Sequence, residues 1–267
     1  MATALVFHAD TYRPGTRHAP HQHDELHLSL VLGGRLAETV GGTTEYAGAL
    51  SVVAKDSGVV HANEFGPNEV RLARLILPSG TIGELIDDPS RSHGWRWTHD
   101  PLVANPFLRL VRRGAACVSS FDADDPDLLD LLAAFTARRG AVPKGSPPVW
   151  LNETMRELGE TWHSGLTVAQ VACRAGVHPV YLARCVRRWF GTSVSEELRR
   201  LRLRSAAEAM ADTGGSISRI AHSAGFADEP HFCREFQRSM GITPGRYRAL
   251  LRNVDYSRPG RPQLRFG

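Results

Sequence analysis

Within "GTRHAPHQHDELHLSLVLGG", His21, His23, Glu25 and His27 occupy every second position. In an extended strand alternate side chains share one face, so this spacing predicts three imidazoles and a carboxylate converging on one side of a sheet. Neutral imidazoles are common ligands for zinc, nickel or iron, and His61 in "DSGVVHAN" can join them from another strand. The same five residues also suit a metal-free pocket for a small-molecule effector, or a vestigial barrel whose histidines are simply satisfied or lie at the surface. His8 and His18 are expected at the surface. Trp95 and Trp97 in "HGWRWTHD" are expected either to stack on a ligand or to pack the sheet.

A second set of residues suggests different chemistry. The stretches "VYLARCVRR" and "EPHFCREFQR" each set arginines among regularly spaced apolar residues. Helical spacing turns Leu182 and Val186 inward in the first, and Phe232 and Phe236 in the second. The outward faces then carry Val180, Tyr181, Arg184, Arg187 and Arg188, and Glu229, His231, Arg234, Gln237 and Arg238. These side chains supply the donors, acceptors and apolar groups that read base edges in a DNA groove, and the guanidiniums that neutralise phosphates.

The elements that must position these groups divide the chain. From residue 26 to 77, "LHLSLVL", "RLAETV", "TTEYAGALSVVA" and "VRLARLIL" read as short strands separated by Gly33-Gly34 and Gly41-Gly42, which predicts an antiparallel barrel or sandwich. "DPDLLDLLAAFTARR" predicts a helix over 126–139, whose Leu128, Leu129, Leu131, Leu132 and Phe135 offer a dimer interface or a face that docks on the barrel. "GAVPKGSPP", 140–148, reads as a linker. Beyond it, "LTVAQVACRAGVHPVYLARCVRRWFGTS" and "SISRIAHSAGFADEPHFCREFQRSMGIT" share one layout: a polar start, a short helix ending in Ala-Gly, a turn, and an arginine-rich second helix. That is the outline of a helix-turn-helix, present twice. Asp228 is the expected N-cap of the last arginine-rich helix, with Pro230 in its first turn. "VSEELRRLRLRSAAEAMADTGG" is expected to be the long helix connecting the two copies.

Composition narrows the partners. The 267 residues suffice for two domains, and no apolar run approaches the length of about 20 residues needed to cross a bilayer. The N-terminal stretch lacks the pattern of a secretory signal, so a cytoplasmic chain is expected. Four cysteines without paired short spacing fit a reducing compartment. The net charge of +4 is uneven: residues 1–149 carry 14 basic and 17 acidic side chains, whereas residues 150–252 carry 15 and 10. The excess positive charge therefore sits with the helical repeats, as a polyanionic partner requires.

The C-terminal stretch, over about 150–250, resembles the signature of the AraC/XylS family of bacterial transcription regulators. The matching residues are Ile220-Ala221, Gly225-Phe226, Phe232, Arg234, Phe236, Gly241, Thr243-Pro244 and Tyr247-Arg248, with Ala172, Gly176, Tyr181-Leu182, Gly191 and Arg202 in the first copy. The resemblance implies that Val180 and Arg184, and Glu229, His231 and Arg234, contact bases or the groove. Pro230 stands where Ser or Gln is frequent, and Val186 where Phe is. The N-terminal half resembles the cupin barrel: Gly15, His21, His23 and Gly34 follow its first motif, with His27 in the place of Glu, and Gly58 and His61 echo its second, with Asp56 in the place of proline.

Taken together, these features predict an α+β chain. A cupin-like antiparallel β-barrel over 1–115 would sense an effector or a divalent metal ion. A helical dimerisation segment and linker would span 116–149, and a double helix-turn-helix 150–252, with a tail over 253–267. The expected protein is a homodimeric, DNA-binding transcription regulator that activates by contacting RNA polymerase. The rival expectation is a metal-dependent cupin oxygenase or isomerase with a helical appendage.

Overall fold

The computed structural model describes residues 6–77, 94–115, 125–136, 146–162, 166–212 and 214–253. Most of the linker sequence, 140–145, and the end of the helix predicted over 126–139 lie outside the described residues. So do residues 254–267 and Cys117. Described residues gather into two units, one formed by 6–136 with 207–215 and 233–253, the other by 146–206 with 216–232.

In the first unit nine strands form two antiparallel sheets. They are β1 (Val6–Tyr12), β2 (Arg17–His21), β3 (Leu26–Gly33), β4 (Leu36–Val40), β5 (Thr43–Ala47), β6 (Val52–Lys55), β7 (His61–Phe65), β8 (Val70–Leu77) and β9 (Trp95–Thr98). The five-stranded sheet runs β1-β8-β3-β6-β9 and the four-stranded sheet β2-β7-β4-β5. β3 lies between β8 and β6, pairing Leu28 with Leu75 on one side and Ala54 on the other. Its central place explains why all eight of its residues are buried, His27 and Ser29 included. Leu28, Leu30 and Leu32 each contribute about 1.5–3 kcal/mol by leaving water.

The apolar run "TTEYAGALSVVA" divides into β5 and β6 because the chain turns at Gly48–Leu50, where Leu50 adopts a positive φ of 67°. Helix α1 (Pro101–Ala115) was not legible in the sequence, since Pro106 lies inside it. Proline removes one helical hydrogen bond, but Val103, Ala104, Phe107, Leu108, Leu110 and Val111 are all buried on one helix, and that burial outweighs the loss. Helix α2 (Pro126–Thr136) packs beside it. Leu128, Leu131 and Leu132 are buried, and Arg109 bridges Asp127 at 2.5 Å and Asp130 at 2.8 Å. The leucine stripe read as a dimer interface is thus largely used within the chain; Leu129 alone among those described leucines is exposed.

The second unit begins with α3 (Val149–Thr161), followed by α4 (Val168–Arg174) and α5 (Pro179–Phe190). Leu151, Leu158, Leu166, Val171, Ala172, Leu182, Val186, Val194 and Leu198 form one core. A reciprocal capping box starts α4: Thr167 accepts from the Gln170 amide, and the Gln170 side chain accepts from the Thr167 amide. The long helix α6 (Val194–Asp212) leads to α7 (Ile217–Ser223), α8 (Glu229–Met240) and α9 (Pro244–Asn253); α7 and the start of α8 belong to the second unit, and residues 207–212 and 233–253 to the first. As expected, Asp228 caps α8, accepting from the His231 amide at 2.6 Å. Gly176 and Gly225 end α4 and α7 with φ of 66° and 76°, the left-handed conformation that lets the chain reverse into the next helix.

Candidate nucleic-acid interface and imidazole cluster

The two helix-turn-helix copies superimpose in sequence residue for residue through their second helices. Val180, Tyr181, Leu182, Arg184, Val186, Arg187 and Arg188 of α5 correspond to Pro230, His231, Phe232, Arg234, Phe236, Gln237 and Arg238 of α8. The inward pairs are fully buried: Leu182 and Val186 in one helix, Phe232 and Phe236 in the other. All ten residues expected to meet DNA are exposed. Burial of the apolar set therefore forces the polar set outward, which is what a reading face needs.

Charge pairing further sorts the outward set. Among the described residues Arg184, Arg187, Arg188 and Arg234 have no carboxylate partner, whereas Arg238 bridges Glu235 at 2.7 Å. An unpaired exposed guanidinium keeps its donor fork available for phosphate or a guanine edge. Tyr181 stacks on Trp150 of α3, ring centroids 5.9 Å apart, and His231 sits edge-on to Phe226 at 5.6 Å. The first contact was invisible in the sequence because it joins two helices far apart along the chain, whereas Phe226 lies in the turn that leads into α8.

In the β unit, the alternation of His21, His23, Glu25 and His27 does not describe one strand. β2 ends at His21 and β3 begins at Leu26, so His23 and Glu25 belong to the intervening turn, where a period of two has no force. Glu25 is exposed and stands apart from the cluster. The structure nevertheless brings His21, His23 and His61 together, each offering a nitrogen within 4.8 Å of the others. The pairing of β2 with β7 sets His21 opposite His61. His27 is buried on β3 and stacks on His23 at 4.0 Å. His18, expected at the surface, is half-buried beside Tyr12, His21 and Phe65, and His8 is half-buried on β1.

The cluster opens onto a cavity of about 520 Å³ that Lys55, Glu38, Arg74, Asn63 and Trp97 also line. Sequence reasoning missed its charged floor. Glu38 Oε1 accepts from Lys55 Nζ at 2.6 Å and Asn63 Nδ2 at 3.0 Å, and Oε2 accepts from the indoles of Trp95 and Trp97 at 2.6 and 2.9 Å. The tryptophans thus act through their N–H groups, a use neither stacking nor plain packing anticipated. The available signal was one lysine in the otherwise apolar "SVVAK", a residue that is seldom buried without a partner. Arg74 and Asp10 form a second pair, Nε and Nη2 both reaching Asp10 Oδ2.

Burial, helped by neighbouring positive charge, disfavours the protonated form of His23, His27 and His61. Burial, then the neighbouring His61 and Lys55, pushes His23 down to about 4. Burial followed by His23 takes His27 to about 2, and burial with Lys55 lowers His61. The Nδ1 atoms of His21 and His61 lie 2.8 and 3.0 Å from the carbonyls of Ala19 and Val59. With Nδ1 donating to those carbonyls, each Nε2 holds its lone pair toward the cavity; that of His61 accepts from Lys55 Nζ at 3.0 Å. The three nitrogens lie close enough to share a borderline transition metal such as zinc, two of the rings being oriented by backbone carbonyls; such an ion would take the place of Lys55 Nζ on His61.

Two copies of a capped short helix, a glycine turn and an exposed, arginine-bearing second helix define a helix-turn-helix DNA-binding domain. Residues 171–250 match the family model described as "Helix-turn-helix domain". Regulatory protein PocR of Salmonella typhimurium is 26% identical over 177 residues, 58% of this chain and 56% of that protein. The RCS-specific HTH-type transcriptional activator RclR of Escherichia coli is 33% identical over 153 residues, 57% of this chain and 48% of that protein. The solved C-terminal domain of AraT, a response regulator from Geobacillus stearothermophilus, is 28% identical, covering 39% of this chain and 88% of that one with a TM-score of 0.37. The chain spans about half the length of these curated relatives. Over residues 171–250 the chain thus carries a helix-turn-helix domain and is similar there to helix-turn-helix transcription regulators.

Proposed function

We propose that the chain is a sequence-specific transcription regulator whose helix-turn-helix pair binds double-stranded DNA under the control of its β domain. One observation carries this reading: both second helices bury their apolar residues and present an arginine without a carboxylate partner at the equivalent position, Arg184 and Arg234. The repeated outline gives the basic surface a purpose that an enzyme with a helical appendage would lack. Activation, the role named for RclR, contact with RNA polymerase, a homodimeric state and a cytoplasmic location complete the proposal. Among the described residues no helix is long and apolar enough to cross a membrane.

The cavity at the imidazole cluster is the proposed control site, taking a small molecule or a divalent metal ion. His21, His23 and His61 would hold the metal, which would cross-link β2, the following turn and β7. A ligand that binds one domain arrangement better than another shifts the population toward it. The test is duplex binding by the purified chain on fragments of its genome, with and without added zinc and across a salt series. Tight binding that weakens steeply with salt is expected, because the arginines displace counterions from phosphates. Binding no better than background under every condition overturns the regulator reading.

A further inference from the structure

The two reading helices present unlike chemistry at the end where a recognition helix meets base edges. Of the exposed large apolar residues described, Val180 and Tyr181 stand side by side in the first turn of α5, 60% and 50% exposed. Pro179 holds the first helical position, and His178 caps the helix by accepting from the Val180 amide at 3.3 Å, so this turn is rigidly started. Tyr181 rests one face on Trp150, and the more exposed Val180 isopropyl group makes no such contact among the described residues. In α8 the corresponding turn is polar: Pro230 replaces Val180, His231 replaces Tyr181, and Glu229 stands exposed at the helix start.

Base chemistry assigns these groups different targets. An apolar side chain in the major groove gains by covering the thymine 5-methyl, the one apolar group that base edges present there. A carboxylate in the same groove is repelled by phosphates and is tolerated where it accepts from an amino group, the N4 of cytosine or N6 of adenine. Arg184 and Arg234, one turn further along equivalent faces, both suit guanine O6 and N7.

We infer that, of the operator's two boxes, Val180 reads one through thymine methyl groups and Glu229 reads the other through cytosine or adenine amino groups. This rests on the DNA-binding reading proposed above and goes beyond it by naming what each helix selects.

The experiment starts from the shortest duplex that the full chain recovers from random-sequence DNA. Thymines are replaced one at a time by deoxyuridine, which removes only the methyl group. In one box the wild type loses about fourfold in affinity per critical methyl, the equivalent of one buried methylene. Val180→Ala, at an exposed position where alanine favours the helix, loses that sensitivity, and the other box is indifferent to uracil throughout. Selection repeated with Glu229→Ala relaxes cytosine or adenine preference in the second box alone. Indifference to uracil at every position, or a Val180→Ala variant that keeps the wild-type sensitivity, overturns the thymine assignment. An unchanged base preference with Glu229→Ala overturns the amino-group assignment. In each of these cases the duplex is still bound, which separates them from failure of the DNA-binding reading itself, where nothing is recovered.

Discussion

Lys55 Nζ lies 2.6 Å from Glu38 Oε1, and both side chains are nearly inaccessible to water, 10% and 1% exposed. Burial alone would raise the Glu38 pKa, but the Lys55 ammonium and the hydrogen bonds from Lys55, Trp95 and Asn63 more than reverse this and hold it below the usual carboxylate range. Removing one partner strands a charge inside the protein. Glu38→Leu should therefore cost about 3–5 kcal/mol, and Glu38→Leu with Lys55→Met markedly less, measured by urea denaturation. A single variant as stable as wild type would show that the pair carries no net weight. Because the folded pKa is depressed, the stabilisation from Glu38 is complete above its unfolded value near 4.5 and fades as pH falls through the folded one. The double variant should lose this part of the acid sensitivity.

Metal retention distinguishes the two proposed kinds of control ligand. Dialysis against a zinc buffer followed by elemental analysis should find the wild type loaded, with His23→Ala and His61→Ala each lowering affinity about tenfold or more, since each would lose one of the three proposed ligands. Glu25→Gln, at an exposed residue apart from the cluster, should bind as wild type does. Equal zinc content in all four proteins would leave the cavity to an organic effector.

Arg184 and Arg234 separate base reading from phosphate binding. If each grips a guanine, replacement by alanine costs about 1–3 kcal/mol on the selected duplex and little on random DNA. A loss of similar size on both, with a shallower salt dependence, identifies a phosphate contact instead.

The start of α8 depends on a single carboxylate. Asp228→Ala removes the acceptor of the His231 amide and should destabilise the protein by about 1 kcal/mol, and Asp228→Asn should restore most of it, as followed by thermal unfolding. Phe232→Ala should cost about 3–5 kcal/mol in the same assay, because its ring is fully buried. A Phe232→Ala protein that melted with the wild type would show that this core is not what holds the reading helix.

The helical half was legible because its determinants are local. Leu182 with Val186, and Phe232 with Phe236, lie one helical turn apart, and caps and turn glycines act within a few residues, so the reading faces follow from order along the chain alone. Pro106 hides α1 for the same reason: the local rule disfavours a helix there, and only burial of its apolar face makes that helix worthwhile. The β half was legible in kind, as antiparallel strands flanking a histidine-rich segment, but not in its site. The alternation of His21 to His27 suggested a single strand, whereas β2 turns at His23 and the third imidazole arrives through pairing of β2 with β7. Sequence determined the identity of the groups and the helix faces that carry Arg184 and Arg234. Only the tertiary structure could decide that Glu38 meets Lys55, Trp95 and Trp97, since those contacts depend on strand order and sheet register, which bring together residues up to 59 positions apart.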